Sequence, residues 1–315
     1  MKRVAAVTGA TGIVGKWIVK ILLADGFRVR VLTRESSYDV RGDLEIIAGD
    51  LSNPAVLEKL VQGGAEWLFH CAAELNNEAI MEAVNVTGTR NLIEAAKKAN
   101  IQFFCHMSSV GVIGSIPGTL ADENTECHPL NTYERTKYRA EQFVLKNPCA
   151  KHTVILRPTN VVSETKPGPL AYVIHSSPKN RLILFLKGRE KAHLIHAKDV
   201  AAAAIFFAKT AQQSEESQDP STSSNSAACV FILSLDHEPK NFIATVCRDY
   251  LKLKHKDTAL LSVNMPWRVP YYLRKLLGRP CNRSDLNYSS AKLLETGFRF
   301  SLGLEGAIKD ICEHT

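Results

Sequence analysis

Thr8-Gly9-Ala10-Thr11-Gly12-Ile13-Val14-Gly15 is the stretch that decides how the rest of this chain is read. It follows Val4-Ala5-Ala6-Val7, an apolar run with the length of a buried strand, and leads into Trp17–Ala24, whose apolar residues recur at helical spacing. Glycines between a strand and a helix permit a tight turn, a close approach of backbone to a pyrophosphate, and close helix–strand packing. The amides that open the helix then face the phosphates. A three-glycine pattern is weak alone, but here it stands in the context that a dinucleotide site requires.

Outward from that turn, β-branched runs alternate with helical segments. Strands are expected at Arg3–Thr8, Phe27–Thr33, Leu44–Ala48, Trp67–Cys71, Ile101–Met107 and Thr153–Leu156, and helices at Gly12–Ala24, Pro54–Val61, Asn77–Ala99 and Thr132–Lys146. This alternation predicts an α/β fold, a Rossmann-type doubly wound parallel sheet. After Pro158 the pattern becomes irregular. A helix is expected over His196–Thr210, with Asp199 as an anion for its N-terminus. Gln212–Ala228 is expected to be a polar, mobile surface loop. A strand follows at Cys229–Leu235, with helices near Asn241–Leu253 and Leu304–Cys312. The expected division is a nucleotide-binding domain over 1–165, with returning elements near 193–235, and a smaller, mostly helical substrate-binding cap over 166–315.

The 315 residues are 45% hydrophobic and 23% charged, ordinary for a soluble globular chain. No run approaches the roughly 18 apolar residues of a transmembrane helix, and Met1–Gly9 reads directly as a strand and turn rather than a signal peptide, so a cytoplasmic protein is expected. The eight cysteines form no Cys-x-x-Cys pair; they read as reduced packing thiols, and no metal site is expected. The net charge of +7 comes without a nucleic-acid module, so an anionic cofactor or substrate is the better explanation and no nucleic acid is expected as a partner.

Val31-Leu32-Thr33-Arg34 closes the second strand. An NAD site usually places an acid here for the ribose 2′-hydroxyl; Arg34 suits a 2′-phosphate, with Arg28, Arg30 and Arg41 close in sequence. NADP is therefore the preferred cofactor, with NAD as the other candidate. Asp50-Leu51, after the third strand, is placed to meet the adenine edge, although a turn aspartate would look the same.

Tyr133 and Lys137 share one face of a helix, a turn apart. The ammonium is expected to draw the phenol pKa down from about 10, giving an acid/base for an alcohol or carbonyl oxygen. The same spacing recurs at Tyr250/Lys254, Tyr271/Lys275 and Tyr288/Lys292, so position has to decide. Only Tyr133 follows a strand of the nucleotide sheet that ends in a serine pair, Ser108-Ser109.

With these residues, the chain resembles the extended short-chain dehydrogenase/reductase superfamily, the group of nucleotide-sugar epimerases, 3β-hydroxysteroid dehydrogenases and dihydroflavonol-type reductases. The resemblance runs through Thr8–Gly15, His70-Cys71-Ala72-Ala73, Asn85-Val86-Thr87-Gly88-Thr89, Ser109–Gly114, Leu156–Val161 and Leu194–Ala201. It implies a catalytic set of Ser109, Tyr133, Lys137 and Asn85, in which Tyr133 is the acid/base and Lys137 also binds the nicotinamide ribose. Ser109, rather than Ser108, is implied as the donor to the substrate oxygen. Asn85 reads equally as a packing amide, and His70 and His196 read as satisfied core histidines. The implied cofactor contacts are Gly9, Thr11, Gly12, Ile13, Val14, Arg34, Asp50, Leu51, Cys71, Ala72, Ala73, Tyr133, Lys137, Pro158 and Val161. Ser109, Asn160 and Arg279 are implied for substrate, and a homodimer through the Asn77–Ala99 and Thr132–Lys146 helices.

Departures from the family narrow the substrate. Ser109-Val110-Gly111 lacks the acids of the sugar dehydratases, Ile113 replaces a tyrosine common in sugar-nucleotide epimerases, and Ala192 stands where many of those carry an arginine. The expectation is an NADP(H)-dependent oxidoreductase acting at a hydroxyl or carbonyl carbon of an extended, fairly apolar substrate. A nucleotide-sugar epimerase, which Asn160 and Arg279-Pro280 favour, is the alternative. A non-catalytic NADP-sensing interaction protein is a third reading from a different class.

Overall fold

Seven strands form one sheet: β1 (Val4–Thr8), β2 (Arg28–Thr33), β3 (Leu44–Ala48), β4 (Ala65–His70), β5 (Phe103–Met107), β7 (His152–Pro158) and β10 (Cys229–Leu233), in the order β10-β7-β5-β4-β1-β2-β3. The β3-β2-β1-β4-β5-β7 ladder is parallel throughout, with Val7 opposite Val31 on one side and Phe69 on the other. The chain leaves β1 toward one edge and returns at β4 toward the other, so the strand order reverses beside the glycine turn. Ligands of such sheets bind at this switch point. The fold is the expected doubly wound Rossmann-type sheet.

The computed structural model describes residues 2–35, 41–216, 228–258, 261, 264–266, 268–278, 282–283 and 285–315. Its backbone falls into two units, residues 1–112, 131–157 and 201–231 in the first and residues 113–130, 158–200 and 232–315 in the second.

In the first unit the helices start where the sequence supplies caps. Asn53 accepts the Ala55 and Val56 amides ahead of α2 (Pro54–Val61), whose first residue is a proline with no amide to satisfy. Asn131 accepts the Glu134 amide ahead of α5 (Thr132–Lys146). No side-chain cap is found at α1 (Gly15–Ala24) among the described residues. One face of the sheet packs Leu68, Phe104 and Ile155 against Leu57, Leu60, Leu92 and Ile93 of the helices. Trp67, Phe69 and Phe103 form an aromatic cluster, every ring centroid within 6.5 Å of another.

The helix expected over Asn77–Ala99 is not uniform. It opens as α3 (Glu78–Met81), widens into a π-helical turn over Glu82–Thr87, and continues as α4 (Gly88–Lys97). Such turns insert a residue and re-aim side chains, often at functional positions. The loop expected from Gln212 is also corrected at its start. The helix that begins at Ala197, α8, continues to Glu216, and Gln212 is held by the Arg3 guanidinium; residues 217–227 lie outside those described.

In the second unit, β6 (Leu120–Ala121) pairs with β11 (Asn287–Tyr288), and β8 (Asn160–Val162) with β9 (Leu194–His196). The helices are α6 (Ala171–Ile174), α7 (Pro178–Lys187), α9 (Ile243–Leu253), α10 (Arg268–Leu276), α11 (Ala291–Glu295) and α12 (Gly303–His314). Asp199 stands in the first turn of its own helix, as expected, and has a second role. Its fully buried carboxylate accepts the Ser301, Leu302 and Gly303 amides and the Ser301 hydroxyl, capping α12 as well.

Candidate active site

The glycine turn is as tight as its sequence requires. Gly9 has φ +68°, and a Cβ there would lie 2.5 Å from the Ala72 amide nitrogen. A Cβ on Gly15 would lie 2.1 Å from the Gly9 carbonyl oxygen, so α1 could not start this close to β1 with any other residue. Beside the turn is a cavity of about 440 Å³, at the carboxyl ends of β1 to β4. Of the residues expected to hold cofactor, Gly9, Thr11, Gly12, Arg34, Asp50, Leu51, Cys71, Ala72 and Ala73 line it. A glycine cradle, the uncapped start of α1 and an arginine at the end of β2 fit an adenine dinucleotide.

Arg34 faces more negative charge than the sequence suggested. Glu35, Asp50 and Glu74 line the same cavity. Ser52 donates to Asp50 from its amide and hydroxyl and holds that carboxyl below its usual range, with Arg34 adding to the effect. Glu74 accepts the Asn76, Asn77 and Leu75 amides, which lower its pKa, and Arg34 lowers it further. Arg28 and Arg30, expected as companions of Arg34, pair with Glu45 on the neighbouring strand.

The serine pair at the end of β5 divides. Ser109 lies near enough to the Tyr133 phenol to lower its pKa, and accepts the Gly111 amide on its Oγ at 3.0 Å. Ser108 is buried and donates its hydroxyl to Glu141 Oε2 at 2.7 Å. Lys137, one turn beyond Tyr133 on α5, is 3% exposed and donates from Nζ to the Met107 carbonyl at 2.6 Å. Burial pushes its pKa down to about 8, against the opposing pull of Cys71 and Glu141. The expected lowering of the tyrosine by this ammonium is not found. Burial raises the Tyr133 pKa, the Ser109 hydroxyl lowers it, and Glu134 raises it further. Desolvating a phenolate outweighs one neighbouring hydroxyl.

Two residues support this set, and of them only Asn85 was singled out from the sequence. Glu141, four residues after Lys137 on the same helix face, is fully buried and receives Arg157 Nε at 3.0 Å as well as the Ser108 hydroxyl. The i, i+4 spacing was the signal that could have found it. Asn85 sits in the π-helical turn. It donates to the Glu74 carbonyl and Thr136 hydroxyl at 3.0 Å each and accepts the Glu74 amide at 2.7 Å, while Thr136 donates to the Tyr133 carbonyl. Its amide thereby ties the segment after β4 to the start of α5 rather than reaching open space.

His70 binds Thr8 and Thr89 through its two ring nitrogens, at 2.7 and 2.8 Å, and burial drives its pKa to about 3, consistent with a neutral core histidine. His196 is fully buried in the second unit near Glu164 and Asp310. Its Nδ1 accepts the Lys198 amide, so the proton sits on Nε2, 3.2 Å from Asp310 Oδ2. A metal-binding histidine has the reverse polarity, donating from its second nitrogen.

Ile13 and Val14 lie in the turn, Val14 as the residue ahead of α1. Pro158, Asn160 and Val161 belong to the second unit, where the Asn160 amide donates to the His193 carbonyl at the start of β8. Arg279 lies outside the described residues. Glu74, Ile80, Ala83 and Val84 line the cavity without having been singled out, because only the fold brings α3 and the π turn there.

A model of the family described as NAD dependent epimerase/dehydratase matches residues 5–219. The chain belongs to that family. Its resemblance to the extended short-chain dehydrogenases/reductases is thereby borne out. A Synechocystis protein provisionally named a dihydroflavonol 4-reductase is 36% identical over 215 residues, 62% of this chain and 60% of that protein. Sterol demethylase protein B of Methylococcus capsulatus is 33% identical over 208 residues, 61% of this chain and 60% of that one. The matched region thus spans about 60% of the length of these relatives. The crystal structure of a short-chain dehydrogenase/reductase superfamily protein from Agrobacterium tumefaciens has the same fold, with TM-score 0.73 at 21% identity over 99% of this chain and 97% of that one. Among the described residues, no helix is long and apolar enough to cross a membrane.

Proposed function

We propose that the protein is an NADP(H)-dependent oxidoreductase acting at a hydroxyl or carbonyl carbon of an extended, fairly apolar substrate, sterol-like or flavonoid-like. The observation that carries this reading is the Ser109 hydroxyl acting on the Tyr133 phenol at the end of β5, with buried Lys137 one helical turn away. The bound nicotinamide supplies the hydride in reduction and accepts it in oxidation. In reduction, Tyr133 gives its phenolic proton to the substrate oxygen as the carbon gains hydride, and the Ser109 hydroxyl hydrogen-bonds that oxygen while it carries negative charge. In oxidation the proton returns to Tyr133. Lys137 is assigned to the nicotinamide ribose on the family resemblance. Asn85 and Glu141 act through others, Asn85 by fixing α5 and Glu141 by holding Ser108 and facing Lys137.

The glycine turn, Asp50, Leu51 and Cys71–Ala73 are assigned to the dinucleotide, and Arg34 to a 2′-phosphate, which favours NADP over NAD. Pro158 and Val161 are assigned to cofactor, and Asn160 and Arg279 to substrate, on the family resemblance. A cytoplasmic homodimer through the helices over 77–99 and 132–146 completes the reading. The second reading is a nucleotide-sugar epimerase, supported by the family and by Asn160, whose residue is exposed at the start of β8.

A thermal-shift panel with NADP-loaded protein separates the two, because ligand that binds only the native state raises the melting temperature. Sterol and flavonoid-like ketones are expected to raise it and to be turned over. A rise with nucleotide sugars alone would establish the epimerase. Binding of NADP with no turnover of any of these classes would favour the non-catalytic sensor.

A further inference from the structure

The segment between Asp257 and Asp285 contains no acidic residue, while Arg268, Arg274, Lys275, Arg279 and Arg283 lie within it. Its helix, α10, is amphipathic in the inverted sense. Val269, Tyr272 and Leu276 recur at i, i+3 and i+7, which puts them on one face, and they are 51%, 57% and 85% exposed. Arg268 and Lys275, both exposed and seven residues apart, edge that face. On another side Arg274 reaches back to Glu190 at 2.7 Å, while Tyr271 is half-buried. Scattered exposed apolar residues are normal on a soluble protein; a continuous stripe bordered by cations is not.

A second helix of the same unit carries a similar mixture. The Met265 amide, on the segment entering α10, donates to the Phe185 carbonyl of α7, whose Leu182 and Phe185 are exposed beside Lys179 and Arg181. Between Lys166 and Lys198 the only acid is Glu190, already held by Arg274. An exposed apolar stripe edged by cations, on a surface poor in acids, complements one partner, the interface of an anionic bilayer. Aliphatic and aromatic side chains enter at headgroup depth while Lys and Arg meet phosphate and carboxylate groups.

We propose that α10 is a peripheral membrane-docking helix that seats the protein reversibly on anionic lipid, with Val269, Tyr272 and Leu276 inserted and Arg268 and Lys275 at the headgroups. This goes beyond the proposed activity and does not depend on the choice of substrate.

Co-sedimentation of the full chain with phosphatidylcholine vesicles, with and without phosphatidylserine, tests it. The protein is expected to pellet with the anionic vesicles at about 0.1 M salt, to remain in solution with the neutral ones, and to be released towards 1 M, where screening shortens to ~3 Å. Lys275→Gln should weaken vesicle affinity about fivefold and Leu276→Glu at least about tenfold, both at unchanged melting temperature and unchanged NADP binding. Three results would overturn the proposal: no affinity of the native chain for anionic vesicles, equal sedimentation of Leu276→Glu and native protein, or a native oligomer that Leu276→Glu dissociates, which would give the face to a second copy of the chain.

Discussion

Tyr133/Lys137 on α5 and Tyr271/Lys275 on α10 share a spacing and almost nothing else. Lys137 is buried at the end of β5 with its ammonium on the Met107 carbonyl, and its tyrosine meets Ser109. Lys275 lies in solvent, and Tyr271 packs its ring edge-on to Tyr272 at 5.3 Å. Burial is not the whole difference, for Tyr250 is only 3% exposed and its hydroxyl meets that of Thr315. The chemistry of a tyrosine–lysine pair comes from what converges on it. At α5 a serine, a strand-end carbonyl and a buried carboxylate do so; at α10 the lysine lies in solvent and the tyrosine packs on Tyr272.

The sharpest way to break this contrast is to remove both hydroxyls in turn. Tyr133→Phe should reduce turnover by roughly 10²–10⁴, the usual contribution of a positioned acid/base, while cofactor binding and folding persist. Tyr271→Phe should leave turnover unchanged. Equal rates for the two variants in a steady-state assay would dissolve the distinction.

Next in size is the support beneath Lys137, which α10 lacks. Glu141→Gln leaves the buried Arg157 without its carboxylate and should cost about 3–5 kcal/mol in a denaturant titration. The same variant has a signature that a packing role would not produce. Because the Lys137 ammonium is lost as pH rises past about 8, native turnover should decline above that pH. Glu141 favours the ammonium, so its neutralisation should move the decline to lower pH. A pH–rate profile whose alkaline limb stays in place would reduce Glu141 to a structural residue.

The smallest expected effect concerns Arg34. Arg34→Ala should narrow the preference for NADP over NAD by about 1–3 kcal/mol, as for a charge-assisted hydrogen bond. Asp50 and Glu74 press toward the low end of that range, since they compete with a 2′-phosphate for the same guanidinium. Matched affinities in the native protein, measured by calorimetry, would leave Arg34 without this role.

Much of the sheet could be read in advance because parallel strands buried on both faces announce themselves as β-branched runs, and Pro54–Val61 and Thr132–Lys146 carry caps at their boundaries. The glycine turn was legible because a left-handed Gly9 and a crowded Gly15 leave no choice of residue. What escaped was set by tertiary contact. Nothing local distinguishes a π-helical turn from α-helix over Glu82–Thr87. Asp199 stands in the first turn of its own helix as expected, yet the partners of its carboxylate are a hundred residues away. Glu141 reads as a surface glutamate until Arg157 on β7 comes beside it. The Tyr133 pKa was misjudged for a related reason, since helix spacing reveals the ammonium and conceals the desolvation.

The close approach at Gly9 also governs how a cofactor-blind control should be engineered. A methyl group there would strike the Ala72 amide and prise the turn from the end of β4, so loss of signal in Gly9→Ala would mix a folding lesion with a binding one. At Gly12 the added carbon meets only the Gly9 carbonyl oxygen, at 3.1 Å, and the residue needs no left-handed backbone. Crowding the cradle from that side should disturb the scaffold less than at Gly9, which makes Gly12→Ala the cleaner dead-binding reference for any ligand screen on this protein.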